Sequence, residues 1–125
     1  MVENDRMSPA ELDAMLHERH LAIVTTHGAD GYPHSTPVWY MPEDGYVGII
    51  ADPNSIKISN IRRDARVSVV IATASQPHSY VMYRGEAQIH ARGVEHYPLE
   101  MAIRYLGKWA DRNTWPRSRR THRLL

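Results

Sequence analysis

The chain has 125 residues, of which 42% are hydrophobic and 23% charged, and its formal net charge is +1. That length suits one domain with a real core, and the near balance of charge gives no strong attraction to nucleic acid. Cysteine is absent, which excludes disulfides, thiol redox chemistry and any cysteine-ligated metal.

The first predicted element is a helix that begins after Ser8. Ser8 can cap it, Pro9 suits the first helical position, and Glu11 completes a capping box. His17 and His20 stand three apart near its end, a spacing that can hold a metal. No third ligand is evident in the sequence nearby, so we expect no metal site. Residues 1–6 are too polar for a signal peptide, and no apolar run approaches the roughly 20 residues of a membrane span, so we expect a cytoplasmic protein.

Three strands joined by short turns are predicted next, over residues 21–26, 34–41 and 46–51. Asp30-Gly31 is a strong turn signal between the first two. Pro37 lacks a ladder donor, so its position must be an edge, a bulge or a ligand-facing break. The short turns favour an antiparallel meander.

Residues 50–64 run from the end of the third strand through a Pro-Asn turn into a short helix over 55–63. Ser55, Lys57 and Asn60 fall on or beside its first turn. A helix N-terminus has unpaired N–H groups and partial positive charge, so with a lysine and small polar side chains it suits a phosphate. The alternative is that Ser55 or Asn54 is only a cap and that Lys57 is solvated.

Two further strands, over 66–73 and 79–91, and an amphipathic helix over 95–106 follow. The apolar stripe of this helix is Leu99, Ala102, Ile103 and Leu106. Gly85 interrupts the longer strand and suggests a bulge or a sharp bend.

The tail over residues 108–125 is basic and aromatic, and a strand begins near residue 121. Single-stranded nucleic acid is one partner for such a tail, but the balanced charge of the whole chain favours a solvated tail. Many short strands, one crossing helix and flanking helices predict a single mainly β domain of the α+β class over residues 1–125, folded as a small barrel.

Four stretches carry a family likeness: 21–26 followed by Asp30-Gly31-Tyr32-Pro33; Ser35-Thr36-Pro37-Val38-Trp39-Tyr40; Ser55-x-Lys57-x-x-Asn60-Ile61-Arg62-Arg63-Asp64-Ala65-Arg66-Val67; and Tyr80-Val81 leading to Gly85-Glu86-Ala87. In order and spacing they resemble the pyridoxamine 5′-phosphate oxidase-like, FMN-binding split β-barrel superfamily. The chain is most similar to its actinobacterial branch, whose members bind the deazaflavin coenzyme F420.

The resemblance implies a homodimer with two cofactors in clefts between the subunits. It implies that the cofactor phosphate lies at the helix start with Lys57 as its charged partner, and that the flat ring lies along the second strand. The implied cofactor-binding residues are Thr36, Pro37, Val38, Trp39, Ile50, Ala51, Ser55, Ile56, Lys57, Asn60, Pro77, His78, Ser79 and Tyr80.

The chain departs from the family pattern in three places. Ala65 stands where proline is usual, and Ile50 stands where some relatives carry a hydroxyl residue. The C-terminus also looks shorter than the family's, which usually adds another strand.

The sequence contains no nucleophile-elbow spacing and no paired carboxylates, so a bound cofactor must supply any redox chemistry. The leading hypothesis is an oxidoreductase that passes a hydride from reduced F420 to a conjugated small organic substrate. FMN is the alternative cofactor, a non-catalytic flavin or deazaflavin carrier is the alternative role, and nucleic-acid binding by a small barrel is a remote alternative.

The choice of F420 over FMN rests on the family likeness. F420 carries an acidic oligoglutamate tail, and its carboxylates could pair with a cluster of four cations: Lys57, Arg62, Arg63 and Arg66. The candidate proton donors are Arg84, His78, Tyr80 and Tyr83, and none of them is assigned as catalytic.

Overall fold

The computed structural model of the chain describes residues 7–107 and the backbone of residues 121–124. The predicted elements are present there, with one strand divided in two. In chain order they are α1 (Pro9–His17), β1 (Ala22–His27), β2 (Pro33–Val38), β3 (Met41–Pro42), β4 (Val47–Ile50), α2 (Ile56–Arg63), β5 (Arg66–Ala72), β6 (Tyr80–Gln88), α3 (Tyr97–Leu106) and β7 (Thr121–Leu124).

The strands form one antiparallel sheet in the order β2-β1-β5-β6-β7-β4-β3. β2 and β3 lie at opposite ends of this order, yet only Trp39 and Tyr40 separate them in the chain, so the sheet curls round into a barrel. β6 joins its two halves, because residues 80–86 pair with β5 and residues 87–88 pair with β7. This confirms the mainly β split barrel with helical additions.

The prediction of a single strand over 34–41 is wrong. Its first part pairs with β1 and its last part with β4, as a meander expects, but the ladder stops at Tyr40. The Tyr40 N–H donates to the Tyr105 hydroxyl (3.2 Å), and the Tyr40 carbonyl accepts from Arg104 Nε (3.0 Å). Because side chains of α3 take the backbone groups of Tyr40, the strand divides into β2 and β3.

Two other strand predictions have different outcomes. Of the bulge or sharp bend predicted at Gly85, the bulge is wrong, because Gly85 lies opposite Val67 in an unbroken register and the strand changes partner only at Ala87. The bend stays a prediction. The strand predicted near residue 121 is confirmed as β7, which lies between β4 and β6. Pro37 lies on β2, at one end of the strand order, as an edge position allows.

The core lies inside the barrel and follows the two-residue period of the strands. Val24 of β1 and Val69 and Ile71 of β5 are fully buried, and their sequence neighbours point outward. Ile58 and Ile61 are buried on one face of α2, which packs across one end of the sheet. The capping box predicted for α1 is confirmed, since Ser8 and Glu11 exchange both bonds.

The buried face of α3 differs from the predicted stripe. Ile103 and Leu106 are 52% and 44% exposed, whereas Tyr97, Met101 and Ala102 are buried. The reason is the polar face of the same helix, which turns toward the end of α1.

Arg104 is the centre of that polar face. Its Nη2 donates to the carbonyls of Leu16 (2.9 Å) and Glu18 (2.7 Å), and its Nη1 donates to the carbonyl of His17 (3.2 Å). These last carbonyls of α1 have no partner within the helix. One guanidinium therefore caps α1 and fixes the rotation of α3.

Among the residues described, no helix has the length and apolar character of a membrane span.

Candidate functional site

The first turn of α2 is built by local hydrogen bonds. The Asp52 carbonyl accepts from the Ser55 N–H (3.0 Å), and Asp52 Oδ1 accepts from the Asn54 N–H (2.8 Å). Ser55 Oγ then accepts from the Ile58 N–H (3.4 Å) as the N-cap. The N–H groups of the first turn have no partner within the helix. The sequence signal for a helix start at Ser55 is therefore confirmed.

A cavity of about 300 Å³ lies beside this turn, and we name it the Lys57 pocket. It is lined by Val38, Trp39, Ile50, Ala51, Asp52, Ser55, Lys57 and Met101. The structure therefore brings together six of the residues that the resemblance implied, from three separate stretches of sequence. Asp52 and Met101 were missed: Asp52 belongs to the turn before the helix, and Met101 is a buried position of α3 just outside its predicted stripe.

Lys57 is a half-buried cation. Burial lowers its pKa from the ordinary value of 10.5. Among the described residues no carboxylate oxygen lies within 4.0 Å of its ammonium group. A buried charge without a counter-ion is unfavourable, so this position favours the arrival of an anion.

The inner side of β2 carries two buried polar atoms that have no hydrogen-bond partner in the described part of the chain. They are Thr36 Oγ1 and His34 Nδ1. His34, Thr36 and Val38 point to the same face of the strand, and Val38 lines the Lys57 pocket. Buried polar groups are nearly always bonded, so Thr36 Oγ1 has capacity to bond a ligand that lies along β2.

Two of the implied cofactor residues on α2 lie outside the Lys57 pocket. Asn60 is 3% exposed, its Nδ2 donates to Thr26 Oγ1 (3.0 Å), and its Oδ1 accepts from Arg63 Nη2 (2.9 Å). Its amide therefore fastens α2 to β1. Ile56 is 62% exposed and lines a different cavity, between α2 and the β1–β2 turn.

The implied residues before and at the start of β6 also lie outside the Lys57 pocket of their own chain. Thr73 holds their loop, because its Oγ1 accepts from the Ser79 N–H (2.9 Å) and its N–H donates to the Ser79 carbonyl (2.9 Å). Pro77, His78 and Tyr80 are exposed. Their contact with a cofactor stays a prediction.

The four cations considered for an acidic tail do not converge. Arg66 bonds Asp64 (2.7 Å) and holds the pKa of that carboxyl below its usual range. Arg63 Nη2 donates to the His27 carbonyl, and Arg62 is exposed. Lys57 is the one member of the set that lines the Lys57 pocket.

The remaining candidates for chemistry lie elsewhere. Burial raises the pKa of Tyr83, which lies opposite Val69 in the register of β5 and β6, and Arg84 lines a separate cavity of about 500 Å³. His17 contacts Asp13, and His20 contacts Glu18. Within residues 7–107 and 121–124, no three His, Asp or Glu side chains group as a metal site would require.

Comparison with known proteins gives a family and a set of similar folds. The sequence profile of the pyridoxamine 5′-phosphate oxidase family matches residues 8–124. No curated protein matches the sequence significantly.

Three solved structures illustrate the likeness. A conserved hypothetical protein from Mycobacterium tuberculosis is 26% identical, with a TM-score of 0.82 over 100% of this chain and 84% of that one. An F420 reductase is 18% identical, with a TM-score of 0.76 over 90% of each chain. A FAD-binding protein from Mesorhizobium loti is 19% identical, with a TM-score of 0.70 over 95% of this chain and 87% of that one. At such identities the last two show a shared fold.

The desolvated charge of Lys57 predicts that Lys57→Met stabilises the ligand-free protein at pH 7. Burial places the folded-state pKa below the unfolded value of 10.5, so between the two the unfolded chain binds more protons. Wild-type stability therefore rises with pH through that window. The advantage of Lys57→Met, measured as the difference in thermal midpoint, is largest below the window and vanishes above it.

Arg62→Met is the matched control, because Arg62 is an exposed cation on the same helix. It is expected to show no such pH dependence. A lower midpoint for Lys57→Met than for wild type at pH 7 would contradict the reading of Lys57 as an uncompensated charge.

Proposed function

The chain belongs to the pyridoxamine 5′-phosphate oxidase family, and from that premise we propose that it is an oxidoreductase of the actinobacterial F420-dependent branch. In this proposal the Lys57 pocket binds coenzyme F420, and the substrate is a conjugated small organic molecule. FMN, which also carries a flat tricyclic ring and a phosphate, is the alternative occupant.

One observation carries the proposal: a half-buried lysine without a carboxylate partner among the described residues lies at the first turn of a helix. A phosphate there would give the Lys57 ammonium its missing counter-ion and accept from the helix N–H groups. The Ser55 hydroxyl already accepts from Ile58, and its own proton stays available for a phosphate oxygen.

The other residues of the pocket suit a flat ring. Val38 and Trp39 provide apolar and aromatic surface at the end of β2, and Met101 provides a polarizable thioether from α3. Thr36 does not line the pocket, but it lies on the same face of β2 as Val38, and its buried Oγ1 has no partner in the described residues.

Asp52 also lines the pocket, and its Oδ1 accepts from the Asn54 N–H, so the cation that faces an anionic ligand is Lys57. The apolar and aromatic residues with Lys57 therefore fit an anionic cofactor with a flat ring.

When bound in its reduced form, F420 would supply a hydride, and the reduced substrate would take one further proton from solvent. The chain's contribution is to hold the phosphate through Lys57 and to exclude water with the apolar wall. No side chain is assigned as the proton donor.

Phosphate binding by Lys57 predicts that Lys57→Ala weakens binding of both F420 and FMN by about 10- to 100-fold, the effect of about 1.5–3 kcal/mol for a hydrogen bond to a charged group. The measurement is a fluorescence titration of folded protein. Riboflavin, which has no phosphate, should bind both variants alike. Arg62→Ala, which removes an exposed cation of the same helix, should leave all affinities within about threefold. Unchanged FMN and F420 affinity in Lys57→Ala would reject the phosphate site.

An enzyme and a cofactor carrier differ in turnover. With excess reduced F420 and a quinone such as menadione under anaerobic conditions, we expect oxidised F420 to accumulate to many equivalents of protein, followed by its absorbance. If oxidised F420 accumulates no faster than it does without protein, the carrier would be favoured.

We further propose that the site is completed by a second copy of the chain. An apolar row crosses the outer face of four strands, in which Pro37, Ile23, Val70 and Met82 lie opposite one another in register. Ile23 and Met82 are 38% and 36% exposed, and such a patch is typical of an interface. Tyr80, one of the implied cofactor residues, is 46% exposed at the start of β6 and pairs with the last residue of β5.

A homodimer through this row predicts that Ile23→Arg gives monomers and loses cofactor affinity, because a charge cannot be buried there without a partner. Leu106→Arg, at an exposed apolar position of α3, is the control and should stay dimeric. The measurement is sedimentation equilibrium with a parallel FMN titration. Wild-type protein that sediments as a monomer would contradict the dimer.

A further inference from the structure

One wall of the Lys57 pocket comes from α3, a helix that the sequence does not connect with the site. Met101, 1% exposed, lines the pocket, and Tyr105 lies one turn further along α3. The Tyr105 ring stacks on Trp39, which also lines the pocket, with ring centroids 4.7 Å apart and planes 5° apart. Trp39 therefore lines the Lys57 pocket, and its indole is also stacked on the Tyr105 ring.

The Tyr105 side chain is itself fixed by hydrogen bonds at its hydroxyl and lies beside a guanidinium. Its hydroxyl donates to the His20 carbonyl (2.7 Å) and accepts from the Tyr40 N–H (3.2 Å). The Arg104 guanidinium lies 5.3 Å from its ring centroid. Trp39 lies on the two-residue connection between β2 and β3, outside any ladder. A fixed ring stacked on a residue in irregular backbone restricts the side-chain rotation of that residue.

We propose that Tyr105 is a positioning residue for cofactor recognition: it holds the Trp39 indole in the pocket wall against which the cofactor ring packs. This rests on the proposed function and deepens it, because it assigns ring recognition to α3 and β2, and phosphate recognition to α2. Ring recognition and phosphate recognition can then be tested separately, by variants on α3 and on α2.

The first test needs no ligand. Tyr105→Leu removes the stacked ring, whereas Tyr105→Phe keeps it and loses only the hydroxyl. The Trp39 indole N–H signal, assigned by its loss in Trp39→Phe, is followed by ¹⁵N relaxation. We expect nanosecond mobility of the indole in Tyr105→Leu and near wild-type order in Tyr105→Phe. An equally ordered indole in Tyr105→Leu would overturn the proposal, whatever the protein binds.

The second test separates ring from phosphate. FMN and riboflavin, and F420 and 8-hydroxy-5-deazariboflavin, are titrated against each variant. Tyr105→Leu is expected to weaken the binding of all four compounds by at least about tenfold and to leave the ratio of FMN affinity to riboflavin affinity unchanged. Tyr105→Phe, which keeps the ring, is expected to bind all four with wild-type affinity. Lys57→Ala lowers that ratio instead. Because a smaller folded fraction would weaken all four alike, the titrations are made below the thermal midpoint of every variant.

Trp39→Leu removes the wall itself, so it should give the same tenfold loss at a constant ratio, and it serves if Tyr105→Leu does not fold. Wild-type affinities in a folded Tyr105→Leu would overturn the positioning role and leave the proposed function standing, and wild-type affinities in Trp39→Leu would overturn the role of the wall. Wild-type protein that binds none of the four compounds would overturn both.

Discussion

The Lys57 pocket depends on a buried hydrogen bond that fastens α2 to β1. Asn60 Nδ2 donates to Thr26 Oγ1 over 3.0 Å, and the two residues are 3% and 1% exposed. Arg63 bonds the other end of the same amide at 2.9 Å. Leaving such buried groups unpaired would cost about 1–3 kcal/mol, so one placement of α2 on the sheet is strongly favoured. That placement brings Ser55 and Lys57 beside the ends of β2 and β4.

The opposite wall depends on the break between β2 and β3. Tyr40 gives its backbone groups to side chains of α3 in place of a strand partner, and burial raises the pKa of its phenol to about 12. The break leaves Trp39 among the residues that line the pocket, together with Met101. The pocket lining therefore combines one cation, Lys57, and one carboxylate, Asp52, with aromatic and thioether groups. This combination suits a ligand with an anionic part and a flat apolar part.

The sequence predicted those features of the fold that depend on residues close together in the chain. The N-cap at Ser55, the capping box at Ser8 and the strand over 66–73 are signalled by residues a few positions apart, and the structure confirms them. The break at Tyr40 was missed because its cause, Arg104 and Tyr105, lies more than 60 residues away in sequence. The buried face of α3 was missed for the same reason, since hydrogen bonds of Arg104 outweigh the exposure of apolar side chains.

In the proposed function, the first turn of α2 holds a cofactor phosphate beside Lys57. Its most direct test is a crystal structure of the protein grown with F420, and with FMN as a second ligand. We expect a phosphate oxygen within hydrogen-bonding distance of Lys57 Nζ and the ring against Trp39. A phosphate bound elsewhere on the chain, with Lys57 left to solvent, would contradict it.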